Sequence, residues 1–192
     1  MTLNDLTSPL SLLETRRSGR PREMVAPGPS EAELQRILAI AARTPDHGKL
    51  SPWRFVIVAP DQRAALADLL VAALPDPSPA HVEKAREFAH QAPTLVVLVA
   101  APVPDHKIPL WEQELSTGAA GMNLLSAAHA LGYVGGWITG WAAYSERVRE
   151  AFCAPGERIA GFMFLGSPGV ALQERPRPAL ADVVRPWTPP TA

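Results

Sequence analysis

The sequence has little of what several classes of protein require. It contains one cysteine, Cys153, among 192 residues, so no intramolecular disulfide can form, which fits a reducing compartment. Its 18 basic and 19 acidic residues leave a net charge of -1, which argues against binding nucleic acid through overall charge. The longest apolar run, residues 95–101, is too short to span a bilayer, and the N-terminus lacks the apolar core of a secretion signal. We therefore expect a cytoplasmic protein with no nucleic-acid or membrane partner.

Motifs for most catalytic classes are also missing. The histidines, at positions 47, 81, 90, 106 and 129, show neither His-x-x-x-His nor His-Glu-x-x-His spacing, so the sequence predicts no metal site. The chain has no Gly-x-Ser-x-Gly elbow, and Cys153 lies in an ordinary Phe-Cys-Ala-Pro helix end, which argues against a nucleophilic hydrolase. Without a Gly-x-Gly-x-x-Gly turn or a Walker loop, a Rossmann or P-loop nucleotide site is not supported.

Apolar periodicity and capping residues alternate helices with strands. We predict a first helix over 9–17 with Ser8 as its N-cap, a capping box at 30–33, and strands over 53–59, 94–101, 133–139 and 159–165. The strand over 94–101 is apolar on both faces, which indicates burial. This order predicts a single α/β or α+β domain over residues 1–192.

Two further segments predict close packing between elements or subunits. The longest helix, over 110–131, carries small residues at 118–121 that let another backbone approach, and Gly132 suits its C-terminal cap. The chain has 21 prolines, and from about residue 169 to 192 it forms a Pro- and Arg-rich arm without an evident core. Such an arm is either disordered or packed on another subunit.

Four polar clusters are candidates for binding. Arg16, Arg17, Ser18 and Arg20 could hold a phosphate, or could be a solvated basic turn. The other three are the turn at 43–53, the glycine- and tryptophan-containing strand at 132–141, and the basic stretch at 175–178. Each has an ordinary structural alternative: an Asx-type turn, a bulged core strand, or a solvated tail.

Taken in order, these clusters resemble the FMN-dependent nitroreductase family, and in particular its short, YdjA-like NAD(P)H nitroreductases. The resemblance is carried by residues 16–20 (RRSGR), 44–47 (TPDH) with 52–55 (PWRF), 111–114 (WEQE) with 131–133 (LGY), and 164–168 (FLGSP) with 175–178 (RPRP). It implies an α+β nitroreductase-like fold: a central mixed β-sheet flanked by helices, in an intertwined homodimer with FMN at the interface.

The resemblance also implies which residues bind the flavin. Arg16, Arg17 and Ser18 fall where the family holds the FMN phosphate and ribityl chain, and Arg20 falls at the flavin pyrimidine. The full set of implied cofactor-binding residues is Arg16, Arg17, Ser18, Arg20, Arg43, His47, Trp137, Ile138, Thr139 and Arg177. The sequence departs from the family pattern at Lys49 and Ser51, where the family has Asn-x-Gln, and at Val134 and Ile138.

The implied activity is an FMN-dependent oxidoreductase. Hydride would pass from NADH or NADPH to FMN, and electrons would then pass to a nitroaromatic, a quinone or a similar small electrophile. Since FMN carries the chemistry, no catalytic side chain is expected. Two alternatives stay open: a flavin-dependent dehydrogenase or desaturase of a metabolite, and a flavin-binding module without turnover. The choice between NADH and NADPH also stays open.

Overall fold

A five-stranded sheet forms the centre of the computed structural model, which describes residues 2–190. Its strands are β1 (Met24–Val25), β2 (Trp53–Val58), β3 (Thr94–Ala100), β4 (Val134–Ile138) and β5 (Arg158–Pro168). The long strand β5 pairs with β1, β3 and β4, and β3 also pairs with β2. All of these pairs are antiparallel, so the expectation of a mixed sheet is corrected for the described residues of this chain. The predicted α+β class is confirmed.

Helices cover both faces of the sheet. They are α1 (Pro9–Thr15), α2 (Glu31–Ala41), α3 (Arg63–Ala72), α4 (Pro79–His90), α5 (Leu110–Ala130), α6 (Trp141–Tyr144), α7 (Glu146–Phe152) and α8 (Leu180–Val183). Short 3-10 turns occur at Pro21–Glu23, His47–Lys49 and Pro60–Gln62. No helix within residues 2–190 is long and apolar enough to cross a membrane.

The buried core divides into two layers because side chains alternate along β3 and β5. Val97 and Phe162 face a cluster that also contains Leu70 of α3. Their chain neighbours Val96 and Met163 face a second cluster, built from α2 and α5. Strand β3 is therefore buried on both faces, as its continuous apolar run predicts.

Local capping signals fix where the helices begin. The Ser8 hydroxyl accepts the Ser11 N–H at 3.0 Å, and the predicted capping box between Ser30 and Glu33 forms in both directions. Gly132 follows α5 in the left-handed region, with φ at 89°. The first helix ends at Thr15, two residues before the predicted end, so Arg16 and Arg17 lie in an extended segment.

The C-terminal arm contacts the body of the chain near its start and then becomes exposed. The Gly169 N–H donates to the Glu23 carbonyl at 2.9 Å. Farther along, Leu180 and Trp187 have 77% and 81% of their surfaces exposed. The end of the arm therefore leaves apolar side chains in contact with solvent.

Candidate functional site

The segment Arg16–Arg20 lies along the outer edge of β4. The Gly19 N–H donates to the Gly135 carbonyl at 3.2 Å. A Cβ at Gly136 would lie 2.9 Å from the Gly19 carbonyl oxygen, a contact that side chains do not make. Gly136 is thus explained by the close approach of another backbone, and Gly135 by the close packing of the Leu125 and Leu165 side chains.

Two side chains that the sequence analysis did not single out hold this segment in place. The Asn4 side-chain amide binds both main-chain groups of Arg17. Its Oδ1 accepts the Arg17 N–H at 2.7 Å, and its Nδ2 donates to the Arg17 carbonyl at 3.2 Å. The same carbonyl lies 3.2 Å from Nε2 of His129, near the end of α5. Helical spacing places His129 beside the buried Leu125, but no sequence pattern points to its contact with Arg17.

Three guanidinium groups meet around this segment. Arg16 Nη1 donates to the Ser18 hydroxyl at 3.3 Å, and Arg177 of the arm donates to the Arg16 carbonyl at 3.3 Å. Arg17 Nε donates to the Gln173 carbonyl at 2.7 Å. The structure therefore brings together four of the sequence-predicted residues: Arg16, Arg17, Ser18 and Arg177.

Positive charge is in excess at this cluster. Burial lowers the pKa of Arg16, and the nearby guanidiniums of Arg177 and Arg17 lower it further. Among the described residues, the carboxylate paired with these three arginines is that of Glu174, 3.0 Å from Arg177. A cluster of two half-buried cations and one exposed cation with so little compensation favours a bound anion.

A cavity of about 270 Å³ opens beside the cluster. Arg17, Ser18, Arg20 and Glu23 line one side, and residues 170–174 of the arm line the other. Arg20 is exposed and forms an ion pair with Glu23 at 3.0 Å. The basic side of the cavity is thus formed by Arg17 and Arg20 of one segment, and the arm closes the other side.

Strand β4 offers main-chain groups next to this cavity. Because alternate residues of a strand hydrogen-bond on opposite edges, the N–H and C=O of Trp137 lie on the same outer edge as the Gly135 carbonyl. Within residues 2–190, Gly19 supplies the one backbone hydrogen bond that this edge receives. The edge at Trp137 is therefore open to a ligand with complementary donors and acceptors.

The side chains of residues 137–139 lie in different environments from their main chain. The Trp137 indole donates to the Ala160 carbonyl at 3.0 Å and packs against the core cluster between α5 and the sheet. Ile138 packs into the opposite core cluster, while Thr139 is exposed. Trp137 is thus engaged in the core, and what this segment presents at its open edge is main chain.

His47 lies at the other end of α5, whereas Arg43 precedes a residue that contacts the C-terminal half of this helix. The chain from Thr44 runs along this helix: Asn123 Nδ2 donates to the Thr44 hydroxyl at 2.7 Å, and His47 Nδ1 lies 2.7 Å from the Glu112 carboxylate. Arg43 is exposed. Because α5 rises 1.5 Å per residue, Glu112 and His129 are about 25 Å apart along the helix. Within one chain, His47 does not join the arginine cluster.

The loop after His47 carries an unusual backbone. Gly48, Lys49 and Ser51 all have positive φ, at 80°, 58° and 47°. The Asp46 carboxylate accepts the Ser51 N–H at 2.6 Å and closes the loop. Two non-glycine residues in the left-handed region indicate local strain, at the positions where the sequence departs from the family pattern.

The described His, Cys, Asp and Glu side chains are not arranged as a metal site. Within residues 2–190, no group of three or more His, Cys, Asp or Glu side chains could hold a metal ion. His47 and Glu112 form an isolated pair, and Cys153 is half-buried with a pKa raised by burial. The chemistry suggested by the site is therefore that of an anion-binding cradle beside an open strand edge.

Known proteins are similar to this chain in sequence and in fold. The model of the nitroreductase family matches residues 13–167. The Escherichia coli K12 protein named "Putative NAD(P)H nitroreductase YdjA" is 38% identical over 164 residues, which cover 83% of this chain and 87% of the relative.

Solved structures agree. A nitroreductase-like family protein from Bacillus cereus superposes with a TM-score of 0.80 at 22% identity, covering 96% of this chain and 97% of that one. The FMN- and NADPH-dependent nitroreductase NfnB from Sphigopyxis sp. strain HMH gives a TM-score of 0.73 at 21% identity, covering 94% of this chain and 99% of that one. From its sequence match and its nitroreductase-like fold, this chain belongs to the nitroreductase family.

Proposed function

We propose that this protein is an FMN-dependent oxidoreductase that uses NADH or NADPH. The observation that carries the proposal is the cluster of Arg16, Arg17 and Arg177 around Ser18, placed next to the open edge of β4. Family membership supports it, as does the likeness to NfnB, which is named as FMN- and NADPH-dependent.

The arginine cluster fits the phosphate end of FMN. A phosphate monoester carries nearly two negative charges at neutral pH, and arginine binds it through planar, paired N–H donors. The phosphate would offset the mutual repulsion that lowers the pKa of Arg16. The Ser18 hydroxyl, 3.3 Å from Arg16, would complete the set of donors.

The open edge of β4 is suited to bind the ring system of FMN. The flavin pyrimidine alternates hydrogen-bond donors and acceptors along one side, and the N–H and C=O of Trp137 offer the complementary pattern. Ile138 and Thr139 continue this strand, and Arg20, at the mouth of the cavity, supplies a nearby cation. When bound, FMN would supply hydride chemistry between NAD(P)H and a nitroaromatic, a quinone or a similar acceptor.

The remaining predicted residues require a second chain. His47 pairs with Glu112 at the end of α5 opposite to the arginine cluster, about 25 Å along the helix from His129. We therefore propose a homodimer in which Arg43 and His47 of one subunit complete the site of the other. The exposed Trp111, Leu115 and Met122 lie on α5 at helical spacing, and they provide an apolar surface for such an interface.

The arm has a place in the same proposal. We propose that residues 1–192 act as one domain whose arm, from about residue 169, packs on the partner subunit. Its exposed Leu180 and Trp187 would then be covered, while Arg177 keeps its position beside Arg16. A dimer of this kind buries apolar groups that a single chain leaves in water.

The colour of the purified protein tests the proposal. The full chain should be yellow with bound FMN and should bleach under anaerobic conditions when NADH or NADPH is added. A variant with Arg16→Ala and Ser18→Ala should fold but retain little flavin, whereas Arg86→Ala, on the exposed face of α4, should retain it fully. Yellow protein that never bleaches would favour a binding module without turnover, and protein that takes up no FMN would refute the proposal.

A further inference from the structure

His129 makes an unusual pair of contacts inside the protein. Its side chain is fully buried at the end of α5. Nδ1 lies 2.6 Å from the Leu125 carbonyl oxygen, and Nε2 lies 3.2 Å from the Arg17 carbonyl oxygen. Both partners are acceptors, yet a neutral imidazole carries one N–H. Only the protonated ring can donate to both carbonyls.

The surroundings of the ring oppose that protonation. Burial lowers the pKa of His129, the Leu125 carbonyl raises it, the charge of Arg16 lowers it, and the Arg17 carbonyl raises it. The N-terminal segment contributes Leu3 and Asn4 around the ring, β4 contributes Val134 and the arm contributes Leu172, none of which is charged. With the arginine cluster uncompensated, the lowered pKa of His129 favours the neutral ring, in which one nitrogen faces a carbonyl without a proton between them.

The contact with Arg17 links this ring to the anion site. The Arg17 carbonyl lies in the segment that carries the arginines and Ser18, and Asn4 holds the same peptide from the other side. An anion at the cluster would offset the charge of Arg16, which is the nearby cation acting on the ring. The protonation equilibrium of His129 would then shift towards the doubly protonated ring, which can donate to both carbonyls.

We propose that His129 is a positioning residue that takes up a proton from solvent when a phosphate monoester binds at Arg16, Arg17 and Arg177. This inference rests on the proposed FMN function. The proton adds to the bare ring nitrogen, so His129 donates to Leu125 and Arg17 together and fixes the segment in its binding conformation. No covalent bond forms or breaks, and the only species taken up is the proton.

Proton uptake makes cofactor affinity depend on pH. By linkage, binding that takes up one proton strengthens by up to about tenfold for each unit by which the pH falls. The second ionisation of the phosphate itself, near pH 6, works in the opposite direction. A comparison of the wild type with a His129 variant removes this contribution, because it is common to both proteins.

Calorimetry tests the inference. The flavin-free full chain is titrated with FMN at one pH in buffers with different heats of ionisation, which gives the number of protons exchanged. We expect the wild type to take up about one proton more per FMN than His129→Gln does. His90→Gln, an exposed histidine on α4, should match the wild type. Riboflavin, which lacks the phosphate, should show no uptake that depends on His129.

A spectroscopic measurement on the wild type covers the case in which His129→Gln fails to fold. Nitrogen NMR of the histidine-labelled chain should show the His129 ring changing from the neutral to the doubly protonated pattern when FMN or inorganic phosphate is added. FMN binding without this change and without extra uptake would overturn the inference and leave the proposed function standing. Failure of both FMN and phosphate to bind would overturn the anion site and this inference with it.

Discussion

The two ends of α5 differ in how firmly the predicted cofactor residues are held. At the C-terminal end, the Arg17 peptide is fixed by Asn4 and approached by His129, and Arg16 is half-buried. At the N-terminal end, the His47 side chain is 64% exposed and its loop has a strained backbone. One end is thus fixed by contacts within the chain, while the other is largely exposed.

The difference suggests that the two ends of α5 have different functions. The C-terminal end has half-buried cations and an open strand edge, which suit the permanent anchoring of a charged cofactor. The N-terminal end has His47 beside Glu112 on an exposed surface next to the apolar Trp111, which suits contact with a second chain. Substitutions at either end should therefore weaken cofactor binding, those at the first by removing the anion contacts and those at the second by removing contacts across the proposed interface.

The largest effect is expected at Gly136. In Gly136→Ala, the new Cβ would lie 2.9 Å from the Gly19 carbonyl oxygen, so the arginine segment must move away from β4. We expect a loss of stability of about 1–3 kcal/mol and a loss of FMN affinity of at least about tenfold. Chemical denaturation and FMN fluorescence titration measure the two effects. Wild-type affinity in this variant would show that the segment need not lie against β4.

A pH effect of intermediate size should come from His129. Its pKa is lowered in the folded chain, so the unfolded chain binds more protons when the pH falls below about 6.5. Stability of the flavin-free protein is therefore fully present above that pH and is lost as the pH falls towards the folded pKa, by at most about 1.4 kcal/mol per pH unit. Thermal unfolding between about pH 7.5 and 5.5 measures the slope. His129→Gln should flatten it, and an unchanged slope would contradict this origin.

The smallest effect is expected at Lys49, in the exposed loop. Its φ of 58° is unfavourable for lysine and better tolerated by asparagine, the residue that the family pattern has at this position. Lys49→Asn should raise stability by a few tenths to about 1 kcal/mol. The matched control is Lys84→Asn on α4, where asparagine is the poorer helix former, so its melting temperature should fall slightly. A drop in the melting temperature of Lys49→Asn would mean that the loop is not strained.

Local features of the fold were predictable from the sequence because they depend on neighbouring residues. Ser8 and Ser30 cap their helices, and Gly132 follows α5 in the left-handed conformation, as their positions indicate. The apolar run at 94–101 correctly predicted a strand buried on both faces. The antiparallel pairing of the whole sheet was not predictable, since it depends on contacts between distant strands.

The sequence names the residues of the candidate site but does not give their geometry. Arg177 lies beside Arg16, as the resemblance implied, although 160 positions separate them in sequence. The contacts of Asn4 and His129 with Arg17 have no local pattern. Nor does the sequence show that the Trp137 indole is held in the core by the Ala160 carbonyl. Such long-range contacts follow from the fold and not from any single motif.

A mixing experiment tests most directly the claim that opposite ends of α5, from two chains, form one site. Arg16→Ala and His47→Ala proteins are each expected to bind FMN weakly. If they are unfolded and refolded together, each mixed dimer should have one site with both defects and one site with neither. We therefore expect mixing to restore tight FMN binding and anaerobic bleaching by NAD(P)H. If both variants dimerise but the mixture binds no better than either alone, the two ends do not share a site.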